Sequence, residues 1–151
     1  MTETVAWLAR LVRHETVSHA SNLGLIDEVD AYLKALGFLT ERIADPDAPK
    51  AGLFAQIGPS GVPGVLWSAH SDVVPTDGQT WTRPAFRMTD EGGRLYGRGT
   101  TDMKGFLAAM LAGAGRAAGM TLRAPLQLLI SYDEEVGCLG IARMLPRLPT
   151  L

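Results

Sequence analysis

Apolar residues recur at helical spacing near the start of the chain, where Val5, Leu8 and Val12 share one side of a helix over residues 3–13. A second stripe, Ile26, Val29, Leu33 and Leu36, predicts another helix, with Ser21 or Asn22 as its N-cap. Gly37 stands where a glycine ends such a helix. Residues 38–43 and 53–57 read as strands flanking a loop at 45–49, and the glycine- and proline-rich stretch 58–64 closes the second strand. The short apolar run 65–69 has the pattern of a buried central strand and leads directly into His70. Residues 74–99 are polar and predict a loop with short strand pieces. Residues 103–118, rich in Ala, Leu and Met, predict a helix. A further buried strand at 126–132 ends in Asp133, Glu134 and Glu135, and a last helix beginning at Gly137 fades at Pro146 and Pro149.

This alternation of helix and strand predicts one layered α/β domain, without repeats, low-complexity tracts or linkers. A length of 151 residues suits a single core and is short for two. Three polar clusters fall at element ends: His70–Asp72, Asp102 and Glu134–Glu135. Ligands of open α/β sheets bind beyond the carboxyl ends of strands, so the three clusters are expected to converge on one site.

Composition narrows the choice of partners. Net charge is −2 and no run of Lys or Arg occurs, which excludes a nucleic-acid or anionic-membrane partner from the expectation. No stretch reaches the ~20 apolar residues needed to span a bilayer, and the first residues do not read as a secretory signal. A cytoplasmic location is expected. The single cysteine, Cys138, precludes an internal disulfide and is expected as a buried core thiol. His14 and His19 are expected on the surface of a helix or loop.

Each cluster admits a chemical and a structural reading. In His70-Ser71-Asp72, residues two apart in extended chain face the same side, so Asp72 can fix the ring of a metal-bound His70. The segment also reads as a surface histidine followed by a turn aspartate. In Gly97-Arg-Gly-Thr-Thr-Asp102-Met-Lys-Gly105, Asp102 can bridge two metal ions with its two oxygens, or simply cap the helix that follows. In Ser131-Tyr-Asp-Glu134-Glu135, crowded acids are costly unless a cation sits among them. Neighbouring glutamates point to opposite sides in extended chain and can divide labour between metal and proton. A solvated acidic turn is the plainer reading. Taken together, oxygen and imidazole donors without thiolate suit zinc, cobalt or manganese in a hydrolytic site.

The strings SAHSDVVPTDGQTW, GRLYGRGTTDMKGFLAAML and SYDEEVGCLG resemble the metal-binding segments of the acetylornithine deacetylase and succinyl-diaminopimelate desuccinylase family of zinc metallohydrolases. VVPTDGQTW and YDEEVGC are most similar to its acetylornithine deacetylase branch. The resemblance covers essentially the whole chain and implies an α/β fold, a layered α/β/α zinc-peptidase-like catalytic domain with a mixed sheet, here truncated. It implies two divalent metal ions, zinc foremost with cobalt or manganese as alternatives, held by His70, Asp102 as bridge and Glu135. It further implies Asp72 orienting His70 and Glu134 as general base. The implied reaction is hydrolysis of a small N-acyl amino acid, N-acetylornithine to ornithine and acetate in arginine biosynthesis. Desuccinylation and broader N-acyl amino acid or peptide hydrolysis are alternatives.

The chain departs from the family pattern in three ways. Ala69 replaces the glycine that precedes the first histidine in many members. A further acidic ligand beyond the glutamate pair and a late histidine ligand have no place before Leu151, and the smaller dimerisation or lid domain is missing. Residues 1–151 are therefore expected to be the N-terminal portion of a catalytic domain whose full-length form is a homodimer. By itself the chain is expected to be catalytically silent and marginally soluble, because unpaired sheet edges aggregate.

Overall fold

The computed structural model describes residues 1–149 and contains the elements α1 (Glu3–Val12), α2 (Leu23–Ala35), β1 (Leu39–Ala44), β2 (Ala51–Ile57), β3 (Val65–His70), β4 (Thr89–Glu91), β5 (Arg94–Tyr96), α3 (Lys104–Ala118), β6 (Leu126–Ser131) and α4 (Leu139–Met144). Four strands form a mixed sheet in the order β1-β2-β6-β3. β1 with β2 and β2 with β6 are antiparallel, whereas β3 runs parallel to β6. β4 and β5 form a separate hairpin within the polar stretch that follows β3.

The side-chain alternation of the strands builds two cores. Leu53, Ala55, Leu126, Leu128 and Ile130 meet α1, α2 and α3 on one face. Ile43, Phe54 and Leu129 meet Met144 of α4 on the other. The result is the layered α/β/α arrangement with a mixed sheet that the resemblance implies. Its second helical layer is thin, with only α4 and a 3-10 turn at Leu145–Arg147 among the described residues.

Local chemistry explains most element ends. Thr2 caps α1 by accepting a hydrogen bond from the Val5 N–H. At the end of α2 the Phe38 N–H reaches the Leu33 carbonyl while Gly37 adopts φ 87°, a reversal that glycine accommodates without a Cβ clash. Asn22 occupies the N-cap position of α2 but does not cap it. Its buried amide instead bonds both backbone groups of Ala51 and the Ser71 hydroxyl, tying the helix start to β2 and to the exit from β3.

One expectation about the sheet is corrected. Residues 65–69 do not form a central strand: β3 pairs only with β6 and lies at a sheet edge among the described residues. Val65 is exposed, while Leu66 and Trp67 are half-buried. An apolar run signals burial of its faces and says nothing of its edges. The buried centre of the sheet belongs to β2 and β6.

Gly140 tests the packing of α4 directly, because a Cβ there would meet the Tyr132 carbonyl oxygen at 2.1 Å. Gly140→Ala is expected to destabilise the fold by about 1–3 kcal/mol, the usual cost of forced overpacking. A urea midpoint equal to that of the unsubstituted protein would show that α4 does not sit against β6 in this way.

Candidate metal centre

The parallel register of β3 and β6 sets His70 beside Ser131, so two strands end side by side at the same rim of the sheet. The chain leaving β3 carries Ser71 and Asp72, and the chain leaving β6 carries Asp133, Glu134 and Glu135. The Ser71 N–H and hydroxyl both donate to the Ser131 carbonyl at 2.9 Å, which keeps the two exits in step. Asp102 arrives from a third direction, just before α3, and the Asp102–Met103 peptide is cis. All five residues singled out in the sequence thus come to one rim.

His70 is nearly fully buried, and its two ring nitrogens face different neighbours. Nδ1 lies 3.0 Å from the Asp72 carbonyl oxygen and 3.3 Å from the Asp72 carboxylate. Nε2 faces outward, 3.2 Å from Asp102 Oδ1 and 3.6 Å from Glu134 Oε2. Donor atoms of His70, Glu134 and Glu135 lie within 4.8 Å of one another, near enough to share one ion. Asp102 stands at the margin of this group, its side chain 73% exposed.

Asp72 holds the arrangement together. One carboxylate oxygen accepts the Glu134 N–H at 3.1 Å, and the other accepts the Glu135 N–H at 3.2 Å and the Ser18 hydroxyl at 2.8 Å. Burial opposes its charge, but the His70 ring, Ser18 and the two backbone donors outweigh burial and bring its carboxyl down to about 2. The reciprocal effect acts on His70: burial opposes protonation, yet Asp72, Glu134 and Asp102 push the ring up to about 9. Glu135 is held above the usual carboxylate range by burial and by the Asp102 charge. Acids crowded around an imidazole form the donor set that a divalent cation relieves, and the residues present fit such an ion.

Several surrounding features depart from the expectations of the sequence or have no local signal in it. Cys138 is exposed and not a core thiol; it lies in left-handed backbone with φ 57° at the start of α4, its sulfur 3.7 Å from Glu134 Oε1. The tight turn formed by Glu134–Gly137, closed by N–H groups of Gly137 and Cys138 on the Glu134 carbonyl, keeps it out of the core. His19 is exposed as expected, whereas His14 is only partly exposed and bonds Glu28 at 2.6 Å. Ser18 and the buried Lys104, whose ammonium donates to the carbonyls of Leu11 and His14, carry no local sequence signal. Their partners lie 54 to 93 residues away in the chain. Beside the acids a cleft of about 330 Å³ is lined by Val74, Arg98, Thr100, Asp102 and Glu135.

A protonated His70 cannot donate a lone pair, so cation binding must expel its proton. With the ring titrating near 9 in the metal-free protein, cation affinity is expected to rise about tenfold per pH unit from 6 toward 9 and then level off. Calorimetric titration with zinc in buffers of different ionisation enthalpy should record about one proton released at pH 7. A pH-independent affinity without proton release would remove His70 from the ligand set.

The chain is similar to several known proteins. An acetylornithine deacetylase from Myxococcus xanthus is 41% identical over 144 residues, which is 92% of this chain and 37% of that protein. One from Klebsiella pneumoniae is 40% identical over 121 residues, 80% of this chain and 31% of that protein. The chain thus spans about a third of the length of these relatives. Human carnosine dipeptidase 1 superposes with a TM-score of 0.80 at 25% identity, covering 96% of this chain and 35% of that one. A metallo-carboxypeptidase from Sulfolobus solfataricus superposes with a TM-score of 0.83 at 24% identity, covering 97% and 34%. Residues 66–150, more than half of the chain, match the model of peptidase family M20/M25/M40. The chain belongs to peptidase family M20/M25/M40, a family of metal-dependent peptidases and amidohydrolases.

Proposed function

We propose that the intact protein hydrolyses the amide bond of small N-acyl amino acids, with N-acetylornithine giving ornithine and acetate as its reaction. The observation that carries this reading is the convergence of His70, Asp72, Asp102, Glu134 and Glu135 on one rim. Relatives about 40% identical that bear the name acetylornithine deacetylase supply the substrate. The rest of the proposal is a pair of zinc ions (cobalt or manganese serving as substitutes), a cytoplasmic homodimer, and a place in arginine biosynthesis.

In this reading His70, Asp102 and Glu135 would hold the two ions, with Asp102 shared between them. When bound, the ions would polarise the scissile carbonyl and make water a stronger acid. Asp72 keeps the His70 ring turned so that Nε2 faces the cleft. Glu134, partly exposed at the cleft rim, takes the proton of the attacking water and returns it to the leaving amine. Thr100 and Arg98 line the space in which the substrate would lie.

A second reading is favoured by one observation. Asp102 stays largely exposed, and the described residues gather three donors close enough to share an ion. That set suits weak binding of one ion better than firm binding of two. On this reading the 151-residue chain alone has negligible deacetylase activity. Rapid metal-dependent turnover by it would refute the second reading.

For the intact protein, Glu134→Gln is expected to retain metal and lower kcat by about 10²–10⁴-fold, the range for loss of a general base. Glu135→Gln is expected to lose metal. Metal analysis and assays on N-acetylornithine beside succinyl-diaminopimelate check both. If acetylornithine is not turned over while the desuccinylase substrate is, the proposed substrate is wrong.

A further inference from the structure

Behind the acids lies a buried cation that takes no part in the roles given above. Lys50 immediately precedes β2 and is 8% exposed. Its ammonium bonds Asp133 Oδ1 at 2.5 Å and also donates to the Ser18 carbonyl. Asp133 holds φ 53°, the left-handed backbone from which the chain turns to present Glu134 and Glu135. Ser18, on the other side of the ammonium, donates its hydroxyl to Asp72. The segment around it is fixed as well: the Thr16 hydroxyl donates to the Ser71 carbonyl, the Val73 N–H to the Thr16 carbonyl, and the Ser18 N–H to the Val73 carbonyl. Asn22 grips both backbone groups of Ala51 and so locks the position next to Lys50.

We infer that Lys50 and Ser18 are positioning residues for the acid pair, joining the turn after β6 to the aspartate that seats His70. Two paths run from the ammonium. Through Asp133 it fixes the backbone turn that aims Glu134 and Glu135; through Ser18 it fixes Asp72, which receives the N–H groups of those same glutamates. Neither residue lines the cleft, and the polar side-chain partners of the two are Asp133, Asp72 and the Ser18 carbonyl. The Asp133 carboxylate is itself mostly buried, so without Lys50 it would be an unpaired charge in the wall of the site. The chain would relieve that cost by turning Asp133 toward solvent, which rotates the two glutamates away from His70.

The inference rests on reading this rim as a metal centre, and cobalt(II) is the probe that separates the two. In the intact protein, Lys50→Met is expected to weaken cobalt binding by about 10–100-fold, the usual effect of losing a partner that orients a ligand. The visible absorption of the bound cobalt should change in shape, because the ligand geometry changes. Ser18→Ala should act in the same direction and more weakly, and it serves if Lys50→Met does not fold. Asp133→Asn should also weaken binding, and the Lys50→Met/Asp133→Asn double variant should lose less than the two single losses combined, since both break one link. Wild-type cobalt affinity and spectrum in Lys50→Met and Ser18→Ala would overturn the positioning role, as would losses that simply add. Should the unsubstituted protein bind cobalt no better than His70→Ala, the metal centre itself falls and this inference with it.

Discussion

Parallel pairing of β3 with β6 is the constraint on which the site depends. The paired residues lie far apart in sequence, Val65 opposite Leu126, yet the two strands finish together at His70 and Ser131. Parallel strands need a crossover between them, and here it consists of the β4–β5 hairpin, the Gly97–Gly105 segment and α3. The crossover therefore does two things. It returns the chain for a strand in the same direction, and it carries Asp102 past the rim on the way. An antiparallel β6 would present its acids at the far end of the sheet, and His70 would lose Glu134 and Glu135 as neighbours. The buried apolar faces of β6 and α3 hold this register, because a one-residue slip would turn Leu128 and Ile130 away from the helices.

Electrostatics then decides which arrangement the rim adopts. Asp72, Asp102, Glu134 and Glu135 crowd one imidazole, and two of them feel opposite influences. Asp72 is buried but well supplied with donors, so it stays ionised down to about 2. Glu135 has fewer donors and more acid neighbours, so its proton is harder to remove. Behind them Lys50 balances Asp133, and on the opposite face of the sheet Asp45, bonded by Tyr132 and Arg143, pins the residue that starts the acid turn. The rim is thus prepared for positive charge from in front and braced by positive charge from behind.

How much of this was legible in the sequence differs by level. The elements α1 and α2 follow from apolar periodicity, α3 from its Ala, Leu and Met content and β6 from its apolar run, and Gly37 marks its turn, because these features are set by neighbours within a few residues. The convergence of the three polar clusters followed from strand ends and helix starts. An apolar run does not separate edge from centre, and β3 lies at a sheet edge among the described residues. Composition favours burial of a lone cysteine, whereas Cys138 sits in left-handed backbone and is exposed. Ser18, Lys50 and Lys104 were invisible for a different reason. Each side chain makes its decisive contact with a residue far along the chain, and neither periodicity nor local motif records such a contact.

The central claim is that one imidazole and the acid groups around it hold divalent cations. It is tested most directly by a crystal structure of the intact protein grown with zinc, with anomalous difference density measured at the zinc absorption edge. The account predicts peaks about 2.0–2.2 Å from His70 Nε2 and from carboxylate oxygens of Asp102 and Glu135. Peaks elsewhere on the protein, with His70 still bonded only to its acid neighbours, would contradict it.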